Sequence, residues 1–411
     1  MHISITTELL GEHPPLLDIR IPELGQDEEI TSWVRGGDGL VGIGVYKRHV
    51  VSGSDRFLKA QKWWRSSINE LDIRNNLHGS GTGPILFTSF SFDPTEESQL
   101  IIPKVVIGQR NGKSWITWIG DNPQPQLQSE SQARTSLNLN WSGSNGDVWQ
   151  ERVVRAIEKI KDGKLEKVVL ARFTTATSDS PIESRSLLKY LSNEYPSTWM
   201  FSNTGLVGAT PELLVRLSKS LITSRILAGT IRKTGDDQRD LALAGSLARS
   251  SKDLEEHEYA VSSVAEALAP FCSSMNVPES PFVLHLSNVM HLATDVTGVL
   301  SDHSTPSDIF ELAARLHPSA AVCGTPTEVA KRTIDEIEGI SRGRYAGPVG
   351  WIDAKGDGEL GIALRCGQIS NDKKSIRIFA GCGIVAGSDP EREYAESQAK
   401  LLPMRSALES Y

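Results

Sequence analysis

The chain has 411 residues, 39 % of them hydrophobic and 23 % charged, with a net charge of −8. That length could make one large domain or two or three ordinary ones, and it allows a large core. With no basic block to offset the negative charge, nucleic acid and membrane surfaces have little electrostatic hold on it, and an anionic substrate would need local positive charge or a metal.

The first residues, MHISITTELLGEHPP, lack the basic start and apolar core of a secretory signal. No apolar run approaches the ~18 residues of a membrane span. Cys272, Cys323, Cys366 and Cys382 form no C-x-x-C, so neither zinc nor a disulfide framework is supported. Four reduced thiols fit a cytoplasmic protein.

The first ~140 residues read as short strands and turns with a few helices. FLKAQKWWRSSINEL, Phe57 to Leu71, has helical spacing, while PILFTSFSFD and KSWITWIG read as strands. From Asn122 to Asn145 the chain is rich in Gln, Ser and Asn. This polar tract is a candidate boundary, and equally a long surface loop within one fold. GDVWQERVVRAIEKI follows as a helix with Asp147 as its expected cap and Val148, Trp149, Val153, Ile157 and Ile160 on one side. LEKVVLARFTTAT, VGWIDA, ELGIALRCGQI and SIRIFAGCGIVAG read as strands, and long helices are expected at about 238–269 and 389–409. Strands come in runs and do not alternate strictly with helices. The expected class is therefore α+β with large antiparallel or mixed sheets.

Two helical stretches carry paired acids. In SKDLEEHEYAVSSVAEAL the stripe Leu254, Val261, Val264 and Leu268 leaves Asp253 and Glu256 three apart on one face, with His257 at its edge. In AGSDPEREYAESQAKLL, Ser388 or Asp389 caps the helix, Pro390 suits its first turn, and Glu393 and Glu396 repeat the spacing. Lys400 lies four beyond Glu396. Two such pairs could converge on a hard cation such as Mg²⁺, which prefers oxygen ligands. Spacing alone favours solvated helix faces, with Glu396 and Lys400 a weak surface pair.

The remaining motifs resemble the chorismate-utilising enzymes: isochorismate, salicylate, anthranilate and aminodeoxychorismate synthases. They are KVVLAR (167–172), ATPELL (209–214), LAGT (227–230), KDLEEH (252–257), HLATDVTG (291–298), LHPSAAVCGTP (316–326), GRYAGPVGW (343–351), IALRCG (362–367), AGCGIV (380–385) and EREYAESQAKL (391–401). They come in the family's order across 147–404, whereas 1–146 resembles the family only loosely. The resemblance implies a single chorismate-binding domain over 1–411, with stacked sheets, helices outside and a site in a cleft between them. It implies Mg²⁺ at Glu256 and Glu396, against the substrate's ring carboxylate, with Asp253 and Glu393 behind them or acting through water. Glu255 and Glu258 fall on other faces and are expected to be solvated.

The chemistry implied is hydroxyl transfer from C4 to C2 of chorismate. A water must lose a proton, the departing hydroxyl must gain one, and two carboxylates must be held. Alone, Lys167 reads as a surface lysine and Glu212 as an exposed turn carboxylate. In their motifs the family implies Lys167 as general base and Glu212 as general acid. Desolvation disfavours a lysine cation, which suits a base in a cleft. Arg365 offers a planar fork for a carboxylate. Tyr345, Lys400 and Thr230 join it in holding substrate, as do the backbone amides around Gly381 and Gly383, glycines that a strand bulge would explain as well. His291 would bond substrate or its oxygen neighbours; as a lone histidine it reads as structural.

Ala228 stands where aminodeoxychorismate synthases often carry a nucleophilic lysine, and Ala321 where salicylate- and anthranilate-forming relatives usually have threonine. Both favour isochorismate synthase. Ser319, Ala320 and Cys323 depart from the pattern commonly seen in that branch. Salicylate synthase is the alternative within the family, and an inactive small-molecule binding protein the alternative outside catalysis. The chain is expected to act as a monomer, in menaquinone or siderophore biosynthesis.

Overall fold

The β-branched and aromatic runs pair into one extended sheet in this computed structural model, which describes residues 3–25, 28–121, 123–129, 137–143, 145–301 and 308–410. From Leu139–Gly143 the pairing runs through Lys167–Ser178, Ser375–Ile384, Cys366–Ile369, Leu206–Thr210 and Trp199–Asn203. It continues through Ile30–Arg35 and Asp38–Val51 to Ser98–Arg110. There it branches. One arm passes through Ile85–Ser89, Pro348–Asp353, Gly358–Ile362, Leu213–Ser218 and Leu221–Arg232 to Val289–Leu300. The other reaches Lys113–Ile119 and Ile3–Leu10. These pairings are antiparallel, and Ile3–Leu10 also pairs in parallel with Leu71–Asn75. The class is α+β, as the runs of strands imply.

Among the described residues there are eight α-helices: α1 (Arg56–Asn69), α2 (Gly146–Lys161), α3 (Ser184–Glu194), α4 (Asp237–Leu247), α5 (Ser251–Leu268), α6 (Ile309–Leu316), α7 (Thr327–Glu338) and α8 (Pro390–Glu409). None is long and apolar enough to cross a membrane. α5 packs on Leu221–Arg232, α8 on Ser375–Ile384 and α7 on Lys167–Ser178. The main core gathers Trp33, Trp149, Trp351, Phe87 and Phe201 in full burial. Trp33 donates its indole N–H to Glu359 Oε2 at 2.9 Å, which satisfies its polar end inside that core.

Several local expectations change. The helix expected at 238–269 is two, because Ser250 leaves the helix and caps α5 by accepting from the Asp253 amide. Asn145, not Asp147, caps α2. On α5 the fully buried stripe is His257, Ala260, Val264 and Leu268, while Leu254 and Val261 are half-buried and Val148 of α2 is exposed. ELGIALRCGQI is not one strand; it breaks between Ile362 and Cys366. The polar tract 122–145 lies partly outside the described residues. Its described parts pair on both sides, Gln128–Ser129 with Ile19–Arg20 and Leu139–Gly143 with Lys167–Ser178.

Candidate active site

Strand ends converge on a cleft of about 680 Å³, open mouth included, lined by Glu212, Thr230, Glu256, His291, Ala321, Tyr345, Arg365, Gly381, Gly383 and Lys400. Lys167 opens its strand with a wholly buried side chain, so it is no surface lysine. Its ammonium lies 3.2 Å from Glu256 Oε1, an ion pair without hydrogen-bond alignment. Glu212 sits between two strands, pinned where its amide donates to Thr210 Oγ1 and its carbonyl accepts from Ile362 N. Burial pushes its carboxyl up to about 8, against the opposing pull of Lys167 and Lys400. It is therefore mostly protonated at neutral pH.

Arg365 and His291 are both buried, with Arg365 Nη2 2.9 Å from His291 Nε2. A guanidinium only donates, so Nε2 accepts and the ring proton sits on Nδ1, 3.0 Å from Thr230 Oγ1. Burial and the Arg365 charge hold His291 well below its usual range, which keeps the ring neutral. Arg365 has a left-handed backbone, φ 49°. This turn breaks the expected strand: Ala209 N bonds the Arg365 carbonyl while the side chain swings into the cleft. Tyr345 stacks on Phe379 with ring centroids 5.0 Å apart.

The two glycines are sites of close approach and not bulges, since the Val168–Thr177 register with Ser375–Ile384 runs without a shift. A β-carbon at Gly381 would stand 2.9 Å from Tyr345 Oη, and one at Gly383 only 2.2 Å from Glu256 Oε1. Only a bare backbone leaves room there for the carboxylate.

At the rim, two acids of α8 come together beside Cys382, and Glu256 and Asp253 of α5 are not in that group. Oxygens of Glu393 and Glu396 and the Cys382 sulfur lie within 4.8 Å of one another. Each carboxylate meets a lysine: Glu256 meets Lys167 at 3.2 Å, Glu393 meets Lys252 at 2.9 Å and Glu396 meets Lys400 at 2.6 Å. Burial, and after it the neighbouring Glu396 charge, pushes the Glu393 carboxyl up against the pull of Lys252. The neighbouring oxygens of Glu393 and Glu396 fit a hard cation, and the Cys382 thiol beside them fits one less well. Asp253 is half-buried and bonds Ser250, close beneath Gly229. Glu255 and Glu258 are exposed.

Some expectations for single residues fail. Lys400 is no surface partner: it bonds the Gly381 carbonyl at 2.9 Å, and Glu396 holds its ammonium above the usual range against the cost of burial. His257 is not at a face edge but buried, 2.8 Å from Thr294 Oγ1, and burial lowers it to about 4. Missed in the sequence were Lys252, Cys382, Phe379 and Arg342. Arg342 lines the cleft and pairs with Glu338 beneath it. Their partners lie far along the chain or carry no motif; for Arg342 the i, i+4 spacing to Glu338 was the available signal.

A deep cleft with a buried acid, a buried lysine, an arginine fork and an acidic rim defines an enzyme site for a small, multiply anionic molecule. The chain belongs to the chorismate binding enzyme family, whose model matches residues 32–409. It is 35 % identical over 347 residues to isochorismate synthase DhbC of Bacillus subtilis, covering 82 % of this chain and 83 % of that one. It is 32 % identical over 409 residues to isochorismate synthase MenF of the same organism, covering 90 % and 85 %. Among solved structures, a putative 2,3-dihydroxybenzoate-specific isochorismate synthase, DhbC from Bacillus anthracis, superposes with a TM-score of 0.77 at 30 % identity, covering 93 % and 96 %. Anthranilate synthase component I from Streptococcus pneumoniae shares the fold at a TM-score of 0.67 and 20 % identity, covering 97 % and 94 %.

Proposed function

We propose that this protein is an isochorismate synthase that converts chorismate to isochorismate, with Mg²⁺ as its cofactor. The observation that carries the reading is Glu212, buried in the cleft with its carboxyl pushed up to about 8, while Lys167 lies behind the cleft wall against Glu256, which lines it. Addition of water at C2 forms one C–O bond, shifts the two ring double bonds and expels the C4 hydroxyl. As the neutral amine, Lys167 would take the proton from the entering water, and Glu212 would give its proton to the leaving hydroxyl. Arg365, oriented by the neutral His291 that Thr230 fixes, holds a substrate carboxylate. Tyr345, Lys400 and the Gly381 and Gly383 backbone complete the anion site. Glu256 and Glu396 would hold the cation, with Asp253 and Glu393 behind them or acting through water. When bound, Mg²⁺ neutralises the rim and gives the ring carboxylate a counter-charge.

The whole chain, 1–411, acts as one chorismate-binding domain in this reading, with 1–146 its divergent part and 147–404 its core, monomeric and cytoplasmic. The product feeds menaquinone or siderophore synthesis. Ala321 favours isochorismate over salicylate, since it gives the cleft wall no hydroxyl to orient the enolpyruvyl group, and poor positioning alone can cost several kcal/mol. Purified protein with chorismate and Mg²⁺ is expected to yield isochorismate, with little pyruvate in a coupled lactate dehydrogenase assay and no anthranilate on adding ammonium. Rapid pyruvate release would replace this reading with salicylate synthase, and no turnover at all would favour an inactive binding protein.

A further inference from the structure

Three lysines face the acidic rim, and they are held differently. Lys167 is wholly buried, and Lys400 is fixed twice, by Glu396 and by the Gly381 carbonyl. Lys252 stands in the first turn of α5, and its side chain is 37 % exposed. Among the described residues its ammonium bonds one group, Glu393 Oε1, at 2.9 Å. Glu393 itself is 3 % exposed, and its oxygen lies within 4.8 Å of that of Glu396. The ammonium therefore reaches from solvent into the carboxylate cluster that would receive the cation. A lysine near a helix N-terminus also opposes the helix dipole, so local helix electrostatics do not favour a cation at that place.

We propose that Lys252 is a displaceable stand-in for the cation: its ammonium neutralises Glu393 while the metal is away and leaves for solvent when the metal binds. This deepens the metal reading given above and rests on it. A cation beside Glu393 would repel the ammonium already there, and of the three lysines the one with an open path to water is Lys252. The four-carbon stem can swing out without repacking the core, unlike that of Lys167. Lys252 is thus a positioning residue, which holds the acids together in the metal-free protein and lowers the apparent metal affinity by competition.

The test is Mn²⁺ and Mg²⁺ binding by calorimetry, with thermal melts in chelator and in saturating metal, for the wild type, Lys252→Gln and Lys252→Arg. Lys252→Gln is expected to bind the ion about fivefold more tightly, the scale of one partly exposed ion pair. Its melt should fall in chelator and match the wild type when metal is saturating. Lys252→Arg, which keeps the charge, should resemble the wild type. Weaker or unchanged binding by Lys252→Gln would show that Lys252 supports the bound state, overturning the proposal while leaving the metal site intact. A melt lowered equally with and without metal would reduce Lys252 to an ordinary structural pair. Absence of ion binding in the wild type would overturn both this inference and the metal reading.

Discussion

The floor and the rim of the cleft solve the same problem in different ways. On the strand-borne floor Glu212, His291 and Arg365 are each 7 % exposed or less, and burial sets their charge states. There burial pushes the Glu212 carboxyl up and keeps His291 neutral, and Arg365 is aimed by His291, which Thr230 holds in turn. On the helix-borne rim each glutamate meets a lysine, even at Glu393 where burial pushes the carboxyl up. Desolvation holds a proton in place, whereas an ion pair with one partner open to water, as Lys252 is with Glu393, can be exchanged for another ion. A proton-transfer site needs the first arrangement, and a site that takes up a cation needs the second.

Changes to the floor should therefore strike turnover hardest. Lys167→Ala and Glu212→Gln are each expected to lower kcat by ~10²–10⁴, with substrate affinity nearly kept. An unaltered kcat in Lys167→Ala would remove it as the base. At the rim, Glu256→Gln or Glu396→Gln should cost at least ~100-fold in activity and weaken the Mg²⁺ dependence, because aligned site groups act on that scale. Thermal melts should accompany the assay, since each change leaves the Lys167 or Lys400 ammonium without its counter-charge. If both variants kept full activity, the distinction between floor and rim would collapse into one active floor and an idle surface.

Arg365→Ala sharpens the comparison from within the floor. In the proposed mechanism Arg365 would hold a carboxylate in ground and transition states alike, so its loss should raise KM by ~10- to 100-fold, the worth of a charged hydrogen bond, with a smaller change in kcat. A further effect is one of stability. Glu212 titrates near 8 in the folded chain and near 4.5 when exposed, so the folded state binds more protons between those values. Its contribution is then lost as pH rises, by up to about 1.4 kcal/mol per pH unit. Denaturant midpoints at pH 5.5 and 7.5 should fall further in the wild type than in Glu212→Gln; parallel profiles would show that Glu212 is ionised in the fold.

The chain order of motifs made the fold and most of the cleft readable before any geometry. Spacing alone did not: taken singly, Lys167 and Glu212 look like surface residues, and only their strands carry them inside. What stayed hidden depends on contacts across long stretches of chain. Lys252 meets Glu393 141 residues away, and nothing near either residue signals the pair. Ser250 splits a helix whose neighbours would all have continued it, because one hydroxyl satisfies a free amide. The apolar run Ile362, Ala363, Leu364 conceals the turn at Arg365, since no glycine marks it.

That unmarked turn bears on how the site would decay. A side chain at φ 49° costs about 1–3 kcal/mol that glycine would largely avoid. At position 365 the backbone thus favours glycine or asparagine, and only the work of the guanidinium in the cleft keeps arginine there. Most proteins drift toward whatever stability permits once a function is no longer selected. In a descendant freed from turnover, replacement of Arg365 would strengthen the fold while disarming the cleft. Arg365→Gly should thus melt higher than the wild type and bind substrate poorly, and a relative carrying glycine there is expected to be sturdy and catalytically silent.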